Sequence, residues 1–326
     1  MIRLGILGCS EIAFRRFLPA VKNLDQIKAV VVAEEYDKNR IRAFNEPYGL
    51  EVADHFESIL KRDDIDAVYI PQPPALHALW AGKALAYHKH VLVEKPAACT
   101  LEETNRLVAY AATNQLALHE NYVFPYHAQI RQIQKLLAEG RIGEIRLIRA
   151  DFSFPLRKQD DFRYQKKLGG GALLDAGGYP VKLASMLLGD GIRVETARLQ
   201  GVPGYEVDMY GSATLSDENG TVCQIGFGMD CCYQCSLEIV GSRGRIRTDR
   251  IFTAPRDYEA VIFLETGTHK EVVSIAPDSC FEHSVTHFLQ EIHREQARKS
   301  MYDEMLRQAG LVADIQKKGR DYADYI

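Results

Sequence analysis

The chain has 326 residues, 46% of them apolar and 26% charged, with a formal net charge of −4. That length exceeds one small core and implies two domains, while the slightly acidic balance leaves no basic field for nucleic acid. No apolar run approaches the roughly 18 residues of a membrane span, and Met1 leads straight into strand-like sequence with no signal-peptide core, which points to the cytoplasm.

The first 120 residues or so alternate strand and helix patterns, the signature of a parallel α/β sheet. IRLGILG reads as a buried strand and IAFRRFLPAVKN as the helix after it. IKAVVVAEE is a second strand, followed by the helix KNRIRAFNEPYG. AVYIPQPP and HVLVEKP are further strands, separated by the helix HALWAGKALAYH. LEETNRLVAYAATNQ closes the series, with Thr100 as N-cap and glutamates in its first turn. Unbroken apolar runs such as VVVA and VLV suit strands covered by helices on both faces.

Beyond Tyr122 the character changes. YHAQIRQIQKLLAEGRIG is an amphipathic helix ended by Gly140 and Gly143, and IRLIRADFSFP alternates like an antiparallel strand. Strand candidates separated by the turns DENG, VGSRG and ETGTHK fill Val194 to about Ser274, and two helical stretches form the tail. The expected division is a Rossmann domain over residues 1–121 and, over 122–326, an α+β domain with a mostly antiparallel open sheet. The seven cysteines include one CxxC pair, Cys232 and Cys235, in strand-like sequence without a second pair, so they read as reduced thiols. No metal site is expected; His283 and His287 share a helical face but read as packing, with no carboxylate cluster in view.

Two motifs carry chemistry. VLVEKPAA ends a strand with Glu94, Lys95 and Pro96, putting a cation at a strand terminus. GGGALLDAGGY runs from a glycine loop into a helix, with Asp175 and Tyr179 four residues apart on one face. Hydride transfer to or from a carbinol carbon needs a positioned acid/base at its oxygen. A tyrosine serves if a neighbouring ammonium favours its phenolate, so Tyr179 is the candidate acid/base, Lys95 its tuning cation and Asp175 the orienting carboxylate. The first strand-to-helix turn, Gly8, Cys9, Ser10, Glu11, Ile12 and Ala13, has the form of a dinucleotide fingerprint whose helix N-terminus holds a pyrophosphate. Glu34 and Glu35 end the second strand, where an acid binds the adenosine ribose and repels an extra phosphate, so NAD is favoured over NADP although Lys38, Arg40 and Arg42 follow. Pro71, Pro73, His77 and Trp80 follow a strand's C-terminal end, where cofactors lie in such sheets. Tyr122, His127 and the pair Arg163 and Tyr164 are candidates for the substrate side.

Together, GILGCSEIA, IPQPPALH, VLVEKP, ENYVFPYH, GGGALLDAGGY and LEIVGSRG resemble the Gfo/Idh/MocA family of nicotinamide-dependent oxidoreductases over nearly the whole chain. The resemblance implies a Rossmann domain binding NAD or NADP through Gly8–Ala13, Glu34, Glu35, Pro71, Pro73, His77, Glu94 and Lys95. It also implies a lysine at the reacting oxygen, a cis proline after it, and dimers or tetramers formed through the open sheet. Much of the family has a histidine where this chain has Tyr179, and tyrosine there resembles the dihydrodiol and xylose dehydrogenases, glucose–fructose oxidoreductase and the deoxysugar 3-ketoreductases. The expected activity is hydride transfer to or from a hydroxyl or keto group of a sugar, one linked to a nucleotide included, with Lys95, Tyr122, Arg163, Asp175 and Tyr179 at the substrate. A dihydrodiol or free-aldose dehydrogenase is the alternative, and a non-catalytic dinucleotide-binding regulator the rival of another class.

Overall fold

The computed structural model describes residues 1–37 and 39–320. In chain order its strands and α-helices are β1 (Ile2–Leu7), α1 (Leu18–Lys22), β2 (Ile27–Ala33), α2 (Asn39–Asn45), β3 (Glu51–Ala53), α3 (Phe56–Leu60), β4 (Ala67–Ile70), α4 (Pro74–Ala86), β5 (His90–Val93), α5 (Leu101–Thr113) and β6 (Leu118–Glu120). They continue with α6 (Ala128–Ala138), β7 (Ile145–Ser153), α7 (Gly178–Leu188), β8 (Arg193–Gln200), β9 (Tyr210–Ser216), β10 (Val222–Gly228), β11 (Gln234–Gly241), β12 (Arg245–Asp249), β13 (Ala260–Thr266), β14 (His269–Ile275), α8 (Cys280–His293) and α9 (Glu295–Arg320). Among the described residues, no helix is long and apolar enough to cross a membrane.

The chain forms two compact units. The first comprises Met1–Tyr122 with Phe281–Leu306; the second comprises Val123–Cys280 and the chain from Arg307 onward. The first boundary lies one residue past the expected one, but the simple split at 121/122 is corrected by the return of α8 and the start of α9 to the first unit. The physical reason is an apolar stripe: Val285, Phe288 and Leu289 pack with Leu4, Ile6, Phe17, Tyr69 and Leu92 on one face of the parallel sheet. Met301, Tyr302 and Met305 join the opposite face, with Val68, Val91, Trp80 and Leu107.

The first sheet has the order β3-β2-β1-β4-β5-β6, parallel throughout. Covered on both faces, β4 and the VVVA and VLV runs of β2 and β5 are apolar and largely buried. Thr100 caps α5 in a capping box with Glu103. Two features differ from the sequence reading: the helix after β1 opens with a π-helical segment over Ala13–Phe17, and the short pieces β3, α3 and β6 complete the sheet.

The second sheet has eight strands, ordered β14-β13-β12-β11-β7-β10-β9-β8. All pairs are antiparallel except β7 with β10. Period-2 alternation holds across it. The row Ala197, Ala213, Ile225, Ala150, Leu237, Thr248 and Ile262 is buried. The neighbouring row is Thr214, Gln224, Arg149, Glu238, Arg247, Phe263 and Val272, and its members face outward or stay partly accessible.

Candidate active site

In the first unit, the turn after β1 is shaped to admit a phosphate group. Gly8 has φ +121°, and a Cβ there would overlap the Gln72 side-chain amide, which donates to the Leu7 carbonyl at 2.6 Å. Only glycine combines that dihedral with that approach. Ala13 is fully buried, letting the helix pack close, and Ser10 Oγ accepts from the Ala13 N–H at 3.2 Å. The residues present therefore fit a dinucleotide: a tight glycine turn feeding the start of a helix at the C-terminal edge of β1. Glu11 is exposed and paired with Arg15 at 2.6 Å, and Ile12 is exposed beside it.

The acidic pair after β2 departs from expectation. Glu34 is only 6% exposed; its Oε2 accepts from Cys9 N–H at 2.7 Å, and Oε1 accepts from the N–H groups of Tyr36 (2.9 Å) and Asp37 (3.3 Å). Glu35 Oε1 accepts from the Phe56 N–H at 2.7 Å, closing the start of α3. Both carboxylates are thus spent on backbone donors, which removes the ground for reading them as a barrier to the extra phosphate of NADP. Of the basic residues that follow, Arg40 pairs with Asp37 at 3.0 Å, and Lys38 lies outside the described residues. Burial, and then the Glu34 charge, push the Cys9 thiol up to about 12, so it is an inert filler.

The turn after β5 is pinned by side chains from three other elements. Lys95–Pro96 is a cis peptide bond, as the resemblance implied. His77, buried on α4, places Nδ1 2.7 Å from the Pro96 carbonyl and Nε2 2.6 Å from the Gln72 carbonyl. Burial pushes its pKa down to about 4 against the pull of those two carbonyls. Its ring atoms are committed to the backbone, so His77 fixes the turn. Glu120 Oε1 accepts from the Ala97 N–H at 2.9 Å. Glu94 Oε1 accepts from Tyr69 Oη and from Asn121 Nδ2, each at 2.7 Å; burial raises its pKa, and these donors and Lys95 oppose the rise. Lys95 itself is half-buried at the centre of this arrangement. Pro71 is buried, Pro73 precedes the first turn of α4, and Tyr122 is buried just after β6. Trp80 packs edge-on against Phe56, with 4.9 Å between ring centroids, inside the core.

In the second unit, GGGALLDAGGY is constrained by close backbone approach. A Cβ on Gly170 would overlap the Arg163 carbonyl, and one on Gly171, at φ +128°, would overlap the Asp208 carboxylate. That carboxylate accepts from the Leu173 N–H at 2.7 Å. Leu173–Gly177 then forms a π-helical turn leading into α7; such single wide turns recur at functional sites. Asp175 sits buried in that turn and Tyr179 half-buried in the first turn of α7. The Tyr179 ring lies among Phe124, Phe152 and Phe252, at centroid distances of 6.0, 5.0 and 5.8 Å.

Arg163 Nε donates to Asp175 Oδ2 at 2.7 Å, and Nη1 to Asp161 Oδ1 at 3.0 Å. Burial disfavours the guanidinium charge, and the two carboxylates outweigh it. Arg163 is therefore a strut for Asp175 more than a free grip for an anion. Tyr164 Oη accepts from the Arg157 N–H at 2.7 Å and is likewise committed. His127 caps α6, accepting from Gln129 N–H at 3.1 Å.

The sequence reading did not single out Tyr69, Gln72, Glu120, Asn121, Asp161 or Asp208, although Gln72 lies within IPQPPALH and Glu120 and Asn121 within ENYVFPYH. It also set His287 aside for want of a carboxylate. Glu291, one helical turn on, accepts from His287 Nδ1 at 2.8 Å, and the spacing alone could have shown it. All seven cysteines are free.

A parallel sheet of this order, with a glycine turn after β1, is a dinucleotide-binding fold. The chain matches the family model "Oxidoreductase family, NAD-binding Rossmann fold" over residues 2–122 and the "GFO/IDH/MocA C-terminal domain" over residues 130–247. It belongs to the Gfo/Idh/MocA family and is an NAD(P)-dependent oxidoreductase acting on hydroxyl or keto groups of sugars. A dTDP-3,4-didehydro-2,6-dideoxy-alpha-D-glucose 3-reductase from Actinomadura kijaniata is 38% identical over 98% of this chain and 96% of its own length. The crystal structure of KijD10, a 3-ketoreductase from the same organism bound to NADP and TDP-benzene, aligns with TM-score 0.93 over 97% of each chain at 38% identity. More distant is an NADP-dependent D-xylose 1-dehydrogenase from Haloferax volcanii, 29% identical over 83% of this chain and 82% of its own.

Proposed function

We propose that this enzyme reduces the 3-keto group of a nucleotide-linked deoxysugar, using NADPH. The observation that carries the reading is similarity to the Actinomadura 3-reductase along almost the full length of both chains, with Lys95, Asp175 and Tyr179 all present. NADPH, held at the Gly8 turn, would supply the hydride for the carbonyl carbon. Tyr179 gives its phenolic proton to the carbonyl oxygen as negative charge develops there. The Lys95 ammonium stabilises that oxygen, and the tyrosine phenolate regains a proton from water. Asp175, held by Arg163, orients a substrate hydroxyl. The π-helical turn and its three phenylalanines fix the Tyr179 ring, so less reorganisation is required when the proton moves.

NADPH is preferred here over the NAD expected from the acidic turn, because Glu34 and Glu35 are already occupied by backbone N–H groups. The outward face of the eight-stranded sheet, with Phe263 and Val272 exposed side by side, supports the expected homodimer or homotetramer; sedimentation velocity would read the state.

The test is a turnover screen. A dTDP-linked 3-keto-deoxysugar, D-xylose with oxidised cofactor, and a trans-dihydrodiol are compared, each with both cofactors. Turnover of the first with NADPH is the expected result. Oxidation of xylose or the diol alone would move the enzyme to the dehydrogenase reading, and absence of turnover with all three would favour a regulator. A tenfold preference for NADH, ~1.4 kcal/mol, would restore the acidic turn as the selector.

A further inference from the structure

Behind the Lys95 turn, the first unit contains a buried polar chain that the chemistry above does not use. Glu94 Oε1 accepts from Asn121 Nδ2 at 2.7 Å. Asn121 Oδ1 accepts from Ser284 Oγ at 2.8 Å. Ser284 Oγ lies 3.0 Å from His119 Nε2, and His119 Nδ1 lies 2.8 Å from Glu291 Oε1. That same oxygen accepts from His287 Nδ1 at 2.8 Å. His119, Ser284 and Glu291 are all 0% exposed.

Proton bookkeeping along this chain leaves little freedom. Glu94 Oε1 is an acceptor, so Asn121 presents its amide N–H₂ there and its carbonyl oxygen to Ser284. The single Ser284 hydroxyl proton then points at Asn121, and His119 Nε2 must itself carry a hydrogen to bond Ser284 Oγ. On the other side, Nδ1 faces a carboxylate oxygen. A neutral ring would turn a lone pair on it, so Nδ1 must carry either a proton or a cation. Glu291 Oε2 is buried without a hydrogen-bond partner among the described residues, so the carboxylate's compensation rests on the two imidazoles at Oε1. Burial opposes ionisation of Glu291, yet His119 and then His287 hold its pKa below the ordinary carboxylate value.

A metal ion is the competing occupant, since His119, His287 and Glu291 offer three ligand atoms within 4.8 Å of one another. The spacing disfavours it. Ligands about 2.0–2.1 Å from a tetrahedral zinc stand about 3.3 Å apart, whereas both Nδ1–Oε1 separations are 2.8 Å, the length of a charge-assisted hydrogen bond.

We propose that His119 is a positioning residue: held between Glu291 and Ser284, it fixes the Glu94 carboxylate beside Lys95 through Ser284 and Asn121. The groups facing it are Glu291, His287 and Ser284 of α8 and, through the serine, Asn121 after β6. Arg298 of α9 caps the end of α8 through the Glu291 and Ile292 carbonyls at 2.9 and 3.1 Å. The Glu94 carboxylate is tied through Asn121 and Ser284 to α8. The inference rests on the proposed role of Lys95 for its catalytic consequence, but its first test requires no substrate.

That test is ¹⁵N NMR of histidine-labelled protein across pH. At neutral pH His119 should show a hydrogen-bonded N–H on Nδ1 toward Glu291 and on Nε2 toward Ser284. A neutral His119 at neutral pH, or one zinc per chain by metal analysis, overturns the proposal whatever the enzyme's activity. The second test cuts the chain at its smallest member. Ser284→Ala should lower kcat about three- to tenfold, the worth of one hydrogen bond, and displace the kcat–pH profile while NADPH affinity stays unchanged. Ser284→Thr, which keeps the hydroxyl, should recover part of the loss. An Ala variant with wild-type kcat and pH profile, or one that loses kcat and NADPH affinity alike, removes His119 from any positioning role.

Discussion

The two segments that carry the proposed catalytic residues are made rigid by different physics. The Lys95 turn is held by buried polar side chains reaching backbone atoms: His77 at the Pro96 carbonyl, Glu120 at the Ala97 N–H, and Glu94 anchored by Tyr69 and Asn121. The Gly170–Tyr179 segment is held mainly by shape. Its glycines bring backbone against backbone or carboxylate, and Tyr179 stands among phenylalanine rings. A turn that positions a cation has to be set in a field of charges and dipoles, and its geometry then depends on protonation. A proton donor on a helix requires only a fixed ring, which steric packing provides at any pH.

The largest effect should come from removing the proton without disturbing the shape. Tyr179→Phe is expected to lower kcat by about 10²–10⁴, the range for losing a general acid–base group, with the thermal midpoint and NADPH affinity retained. Steady-state kinetics with a fluorescence titration measures both, and a variant at wild-type rate would assign the proton to Lys95 or water.

Next in size is a steric attack on the same half. Gly171→Ala places a Cβ at φ +128° against Asp208, and displacing that carboxylate uncaps Leu173. A loss of about 1–3 kcal/mol is expected, read as a lower denaturant midpoint that is the same at pH 5 and pH 8 within roughly the error of the extrapolation. A strongly pH-dependent loss would break the distinction between the two regions.

The polar half should instead respond to acid. His90 Nδ1 accepts from the Ala117 N–H at 2.9 Å between β5 and β6, so the folded state requires it unprotonated. Burial, and then the nearby Arg298 charge, push its pKa down to about 4. The unfolded chain binds this proton near pH 6.5 and the folded chain only near 4, so stability is full above 6.5 and falls as pH drops through that window. The cost assigned to His90 is about 3 kcal/mol, and His90→Gln should flatten that part of the slope in thermal melts between pH 7 and pH 4. An unchanged slope would shift the acid sensitivity to His77 and the carboxylates.

The smallest effect sharpens the comparison at its exception, the Arg163 strut. Asp161→Asn leaves Arg163 its bond to Asp175 and should raise the substrate KM about two- to fivefold with little change in kcat, consistent with loss of one charge-assisted contact. A collapse of kcat would give Arg163 a direct part in the reaction.

Much of this arrangement was readable from local pattern. Apolar runs identified β1, β2, β4 and β5, Thr100 with Glu103 marked the start of α5, and the lysine, aspartate and tyrosine stood out through their motifs. Period-2 alternation announced the second sheet, although the parallel pairing of β7 with β10 depends on connections that no local pattern encodes. The three-residue strands β3 and β6 are too short to carry a period and exist because a neighbouring strand offers its edge.

By itself the sequence determined which residues are chemically able to act, because glycine turns, caps and reactive side chains are local properties of the chain. Tertiary structure alone decided what those side chains are free to do. Glu34 and Glu35 looked like ribose ligands until folding brought Cys9 and Phe56 N–H groups to them, and Arg163 looked like an anion grip until Asp175 and Asp161 closed on it. His119 and Glu291, 172 residues apart, meet only because the apolar stripe of α8 packs onto the first sheet. Burial and partner choice are long-range consequences of that packing, and they decide whether a charged group faces a substrate or the protein's own backbone.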